Sequence, residues 1–89
     1  MKYRFIGNEL FIADKIKLSF NEKSILILFL TLEELQLEDI SMTLNINVKT
    51  ILETIRQLNL KLGHFFIITR AKRKNQLDSF YKLIIKEKD

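Results

Sequence analysis

Residues 47–63, Asn-Val-Lys-Thr-Ile-Leu-Glu-Thr-Ile-Arg-Gln-Leu-Asn-Leu-Lys-Leu-Gly, restrict the fold more than any other part of the chain. Val48, Ile51, Leu52, Ile55, Leu58 and Leu62 recur at three- and four-residue steps. At about 100° per residue they fall on one stripe, so the segment reads as one amphipathic helix. The opposite face carries Lys49, Thr50, Glu53, Arg56 and Gln57. Asn47 is suited to cap the start by accepting from first-turn amides, and Gly63 to end the helix as a left-handed residue. Such a helix needs an apolar partner surface, and the rest of the chain has to supply it.

Eighty-nine residues make one domain with one core, expected to span residues 1–89. Hydrophobic residues at 47% and charged residues at 29% exclude a disordered chain. With no Pro and two Gly there is no linker composition, and with no Cys there is no disulfide or thiolate chemistry. The longest apolar run, residues 25–30, is far short of the ~20 residues that span a bilayer. Residues 1–4 do not lead into a signal-peptide core. A cytoplasmic protein without a membrane partner is expected.

Residues 20–63 divide into three helical stretches. Ser19-Phe20-Asn21-Glu22 matches a capping box and opens a helix over residues 20–31. Its run Ile25-Leu26-Ile27-Leu28-Phe29-Leu30 is apolar all round, which predicts a central helix contacted on more than one side. Residues 31–36 read as a connection. Residues 37–44 form a second, short helix with Leu37, Ile40, Met42 and Leu44 as its apolar set and Glu38 and Asp39 in its first turn. Asn45-Ile46-Asn47 then turns the chain into the long helix, giving a helix-turn-helix plan.

Residues 3–6, 9–13 and 15–19 read as short strands, with turns at Gly7-Asn8 and at Asp14-Lys15. Residues 65–69 and 80–85 are β-rich and flank a polar stretch holding Arg70, Lys72, Arg73 and Lys74. The fold class is therefore α+β. Antiparallel strands occupy residues 1–19, three helices residues 20–63, and a hairpin residues 64–86.

Charge is segregated along the chain. Residues 1–21 sum to +2 and residues 22–47 to −4, the latter carrying Glu22, Glu33, Glu34, Glu38 and Asp39 against Lys23. From residue 48 onward ten basic residues face four acidic ones, for +6 and an overall +4. This asymmetry suggests a polyanion partner for the C-terminal half. Four cations within residues 70–74 suit a hairpin that reaches phosphates or enters a minor groove, and exceed what the alternative, a solvated loop that keeps an edge soluble, requires.

No catalytic set is present. The one His, His64, follows Gly63 at a helix end, where an imidazolium can pair with the last carbonyls. The paired carboxylates Glu33-Glu34 and Glu38-Asp39 lack a positioned loop, no Cys/His spacing suits a metal, and no Gly-rich loop suits a phosphate. Neither an enzyme nor a cofactor or metal is expected.

The element order, with Leu18-Ser19-x-x-Glu22, Ile55-x-x-Leu58-x-x-x-Leu62-Gly63 and Tyr81-x-Leu83, resembles the OmpR/PhoB-type winged-helix effector domain, including its ToxR-like branch. In that family the corresponding motifs are Leu-Thr-x-x-Glu, Leu-Arg-x-Lys-Leu and Gly-Tyr-x-Leu. The resemblance implies a bacterial transcription regulator that binds double-stranded DNA. The face from Lys49 to Gln57 would read bases, and the wing would hold the backbone or minor groove. With no receiver domain before the sheet and no membrane segment after it, a stand-alone effector is expected. The family's long loop between the motif helices is cut here to Asn45-Ile46-Asn47, Ser79-Phe80 replaces the usual Gly before Tyr81, and Asn59-Leu60-Lys61 departs from Arg-x-Lys.

Two functions follow as expectations. In one, Lys49, Thr50, Glu53, Arg56 and Gln57 face base edges while Arg70, Lys72, Arg73 and Lys74 neutralise phosphates. Arg suits guanine, Gln suits adenine, and Glu53 accepts from cytosine. Pairing of two copies on adjacent half-sites would strengthen the binding of so small a domain. In the other, the same frame docks on RNA polymerase or another regulator through Glu33, Glu34, Glu38, Asp39 and Leu60, the last lying about 150° from the core stripe.

Overall fold

A computed structural model describes residues 3–12, 15–71 and 80–86. Strands β1 (Arg4–Ile6), β2 (Glu9–Phe11) and β3 (Lys15–Lys17) form an antiparallel sheet in chain order. The two-residue reversal between β1 and β2 places Gly7 at φ 59°, a conformation glycine adopts without steric cost. The second expected turn falls partly on residue 14, outside the described residues. Alternation decides which side of this sheet is buried: Leu10 is fully enclosed, and Phe5 and Ile16, its partners in register, pack against the same core.

Helix α1 (Phe20–Leu32) starts at the expected capping box. The Glu22 amide donates to Ser19 Oγ at 3.1 Å and the Ser19 amide donates to Glu22 Oε1 at 2.7 Å. The helix packs on residues 48–62 and on the strands at residues 34–36 and 80–85, and buries Ile25, Leu26 and Phe29 completely. It is not enclosed all round, because Phe20, Ile27 and Leu32 remain exposed.

At Glu33 the backbone turns to φ 64°, ψ −47°, close to the strained γ-turn conformation, and the chain reverses. The connection expected over residues 31–36 is here a strand, β4 (Glu34–Gln36). It lies along β6 (Phe80–Ile85), with Leu35 opposite Tyr81, and Leu35 faces the core. Three residues without a β-branched side chain carry little strand signal of their own; pairing with a distant strand creates the element.

Helix α2 (Leu37–Leu44) has the expected bounds. Its core residues are Leu37 and Ile40; Met42, expected in the apolar set, points outward at 82% exposure. Asn45 takes the left-handed C-cap at φ 55°, ψ 47°. Helix α3 (Val48–Leu62) follows after three residues, completing the helix-turn-helix.

The C-terminal hairpin consists of β5 (Phe66–Arg70) and β6 (Phe80–Ile85), and β6 lies between β4 and β5. Phe66 and Ile68 face the core opposite Ile85 and Leu83, while Ile67 and Ile84 pair on the outer face. Leu10, Phe29, Ile40, Ile51, Leu58 and Phe66 belong to one continuous hydrophobic cluster that joins both sheets to the helices. The molecule is α+β, with a three-stranded N-terminal sheet, three helices and a C-terminal β-hairpin, the element order of a winged helix-turn-helix domain.

Candidate nucleic-acid interface

Helix α3 begins where Asn47 Oδ1 accepts from the Thr50 amide at 2.8 Å. Ile51, Ile55, Leu58 and Leu62 are buried, and Leu52, expected with them, is 40% exposed at the margin of the stripe. Thr54 takes a buried place instead and satisfies its hydroxyl by donating to the Thr50 carbonyl at 2.8 Å. Gly63 is not left-handed: its φ of −58° continues the helical path. Glycine is required there for space, since a Cβ would sit 2.7 Å from the Asn59 carbonyl oxygen.

The sequence-predicted residues on the first half of α3 share one outward side. Lys49, Glu53 and Arg56 are exposed, and Thr50 and Gln57 are half-buried. Lys49, Thr50 and Glu53, with Thr54, border an open hollow of about 430 Å³. Glu53 holds its two neighbours. Arg56 Nη2 donates to Glu53 Oε1 at 2.6 Å and Arg56 Nε to Oε2 at 3.3 Å, while Gln57 Nε2 donates to Oε1 at 3.3 Å. The hydrogen bonds from Arg56 and then Gln57 lower the Glu53 carboxyl below its ordinary value, and the carboxylate raises the Arg56 guanidinium. Both Glu53 oxygens are thus occupied by its own helix, so the cytosine contact expected of it would require that cluster to open.

Arg70 is exposed at the end of β5. Lys72, Arg73 and Lys74 lie outside the described residues. The acidic residues expected to face a partner are spread over three elements: Glu33 at the α1 C-cap, Glu34 in β4, and Glu38 and Asp39 in the first turn of α2. Leu60 points outward at 69% exposure.

The second half of α3 holds side chains whose roles the sequence reading did not assign. Asn59 Nδ2 donates to the Ile68 carbonyl at 2.9 Å, and its Oδ1 accepts from the Ile68 amide at 2.8 Å. Because odd-numbered residues of β5 bond to β6, Ile68 presents its backbone groups outward, and Asn59 closes that edge. Lys61 donates to Glu22 Oε1 at 2.7 Å and to the Lys17 carbonyl at 3.3 Å, tying α3 to the start of α1 and the end of β3. Asn59 lies four residues from Ile55, on the margin of the core stripe, and that placement is its one sequence signal. The helix-end role expected of His64 belongs to Lys86, whose ammonium donates to the Gly63 carbonyl at 2.9 Å.

Among the described residues no helix is long and apolar enough to cross a membrane, and no cluster of His, Cys, Asp or Glu could hold a metal ion. No protein-family model, no curated protein and no solved structure matches the chain.

Proposed function

We propose that this protein is a DNA-binding transcriptional regulator of winged-helix type, with α3 entering the major groove and the β5–β6 hairpin lying along the backbone or minor groove. One observation carries the reading. The first half of α3 carries five hydrogen-bonding side chains on its outward side, three exposed and two half-buried, and the chain between the hairpin strands holds Lys72, Arg73 and Lys74 shortly after exposed Arg70. A core helix needs only a solvated outer face. A helix that reads base edges needs donors and acceptors of the kinds found here, with cations nearby for phosphates.

The test is a salt titration of the purified protein against random-sequence duplex DNA from about 50 to 200 mM. The expected result is binding that weakens steeply, with a log–log slope of about 0.9 per neutralised phosphate. Neutralising Lys72, Arg73 and Lys74 together should weaken binding to every sequence and flatten that slope. Absence of binding even at low salt would reject the regulator reading.

A second reading rests on exposed apolar side chains. Met42 at 82% and Leu60 at 69% lie outside the core, and Glu33, Glu38 and Asp39 are exposed as well. Docking on RNA polymerase or another regulator would use these groups and leave the Lys49–Gln57 face uninvolved. Loss of a protein contact in Met42→Ser or Leu60→Ser, with DNA affinity unchanged, would identify that role.

A further inference from the structure

Glu53, Arg56 and Gln57 form the one group of side chains on the exposed face of α3 that are hydrogen-bonded to one another among the described residues. An exposed i,i+3 ion pair contributes little to folding. Its geometry is informative for another reason. A guanidinium has two forked edges, one made by Nε with Nη2 and the other by Nη1 with Nη2. Glu53 occupies the first, through Nε at 3.3 Å and Nη2 at 2.6 Å. The second edge keeps one hydrogen on Nη1 and one on Nη2, the parallel pair that fits O6 and N7 of guanine.

The same carboxylate oxygen that takes Arg56 Nη2 also takes Gln57 Nε2 at 3.3 Å. Gln57 retains its carbonyl and one N–H, the donor–acceptor pair that fits N6 and N7 of adenine. Successive helical residues point about 100° apart, so without a shared partner these side chains would diverge. Glu53 brings both to one point and removes the rotamer freedom that each would otherwise lose on binding. It also neutralises Arg56 in the free protein, so a phosphate at random sequence must compete with a carboxylate already in place.

We propose that Glu53 is a positioning residue that aims Arg56 and Gln57 at a guanine and a neighbouring adenine and suppresses their use on phosphates. This rests on the DNA-binding reading and adds to it the two bases contacted and the residue that enforces those contacts. Glu53 does not touch the bases; it acts through its two partners.

The test uses the full chain and a pool of duplexes randomised at the centre, with the wild type, Glu53→Gln and Arg56→Lys selected in parallel and each titrated against random duplex in salt. The wild type is expected to select sites in which a guanine neighbours an adenine. Glu53→Gln should lose roughly tenfold in preference for that guanine yet bind random duplex more tightly, with a salt slope steeper by about 0.9 as Arg56 turns to phosphate. Arg56→Lys should lose the guanine preference and keep the slope, because the charge remains while the fork is gone. A merely structural Glu53 would shift stability and leave the ratio between sites and the slope alone. If the wild type binds but Glu53→Gln keeps both preference and slope, the inference is overturned while the regulator reading stands. If the wild type binds no duplex at low salt, both fall.

Discussion

The two halves of α3 spend their polar side chains in opposite ways. From Lys49 to Gln57, among the described residues, the side-chain hydrogen bonds stay within the helix and the charged side chains are exposed. From Asn59 to Leu62 they reach across the fold, Asn59 to β5 and Lys61 to Glu22 and Lys17. One end of the helix is anchored and the other presented. A rigid anchor at one end is what allows the other to hold a fixed geometry toward a partner. Lys49–Gln57 carries six polar or charged side chains and residues 58–62 only Asn59 and Lys61, so the anchored end rests on two side chains and the presented end keeps most of the polar groups.

The largest expected break of this comparison is at the anchor. Asn59→Ala leaves both backbone groups of Ile68 without their partner on a half-buried strand edge. Water recovers part of the loss, so about 2 kcal/mol of stability should disappear. That is a large fraction of the few kcal/mol available to a domain of this size. Urea denaturation measures it directly. A loss too small to resolve would mean that Asn59 does not hold β5, and that the hairpin is positioned by its core residues alone.

A smaller effect is expected at Glu22, whose side chain is 7% exposed and serves the α1 cap and Lys61 together. Glu22→Gln should cost about 1 kcal/mol near neutral pH, because the charge-assisted bond from Lys61 is weakened while the shape is kept. Burial pushes the Glu22 carboxyl up, but the hydrogen bond from Lys61, the Ser19 amide and the Lys61 charge outweigh it and hold the carboxyl below its ordinary 4.5. The unfolded chain therefore takes up this proton first. The contribution is fully present above 4.5 and is lost as pH falls through the lower folded value. Stability curves between neutral and acid pH should converge for wild type and variant, since protonated Glu22 resembles Gln. Parallel curves would remove the ion pair from the account.

Features controlled by neighbouring residues were legible in the sequence, and features created by distant ones were not. The α1 start and the α3 start follow from side-chain caps within three residues, and the α2 end from left-handed Asn45, while the α2 start has no side-chain cap and follows from its apolar spacing and first-turn carboxylates; each is where the pattern places it. Strand β4 escaped because Glu34-Leu35-Gln36 becomes a strand only against β6, whose sequence is remote. Met42 and Leu52 were assigned inward because helical periodicity gives the direction of a face, not which of its margins a neighbour covers. The roles of Asn59 and Lys61 depend on Ile68 and Glu22, and no local spacing connects them. At the candidate interface the exposed residues could be named in advance, but the joint hold of Glu53 on Arg56 and Gln57 emerges from side-chain geometry. The i,i+3 and i,i+4 spacings permit that hold without requiring it.

The smallest expected effect on folding lies at the presented end, and its smallness is the point. Arg56→Ala removes an exposed guanidinium whose only protein partner among the described residues is Glu53 on the same helix. No buried group is left unsatisfied and no contact with another element is lost, so the denaturation midpoint should not move measurably. The same holds for Lys49→Ala, which carries no packed contact into the core. In contrast, both variants should change the salt dependence of DNA binding, or the preference among duplexes, under conditions where the Asn59→Ala protein, once kept folded, retains the wild-type preference. That double dissociation separates a helix end that holds the fold from one that meets a partner. If Arg56→Ala instead unfolds the domain as readily as Asn59→Ala, the first half of α3 is also structural, and the contrast on which the interface assignment depends is gone.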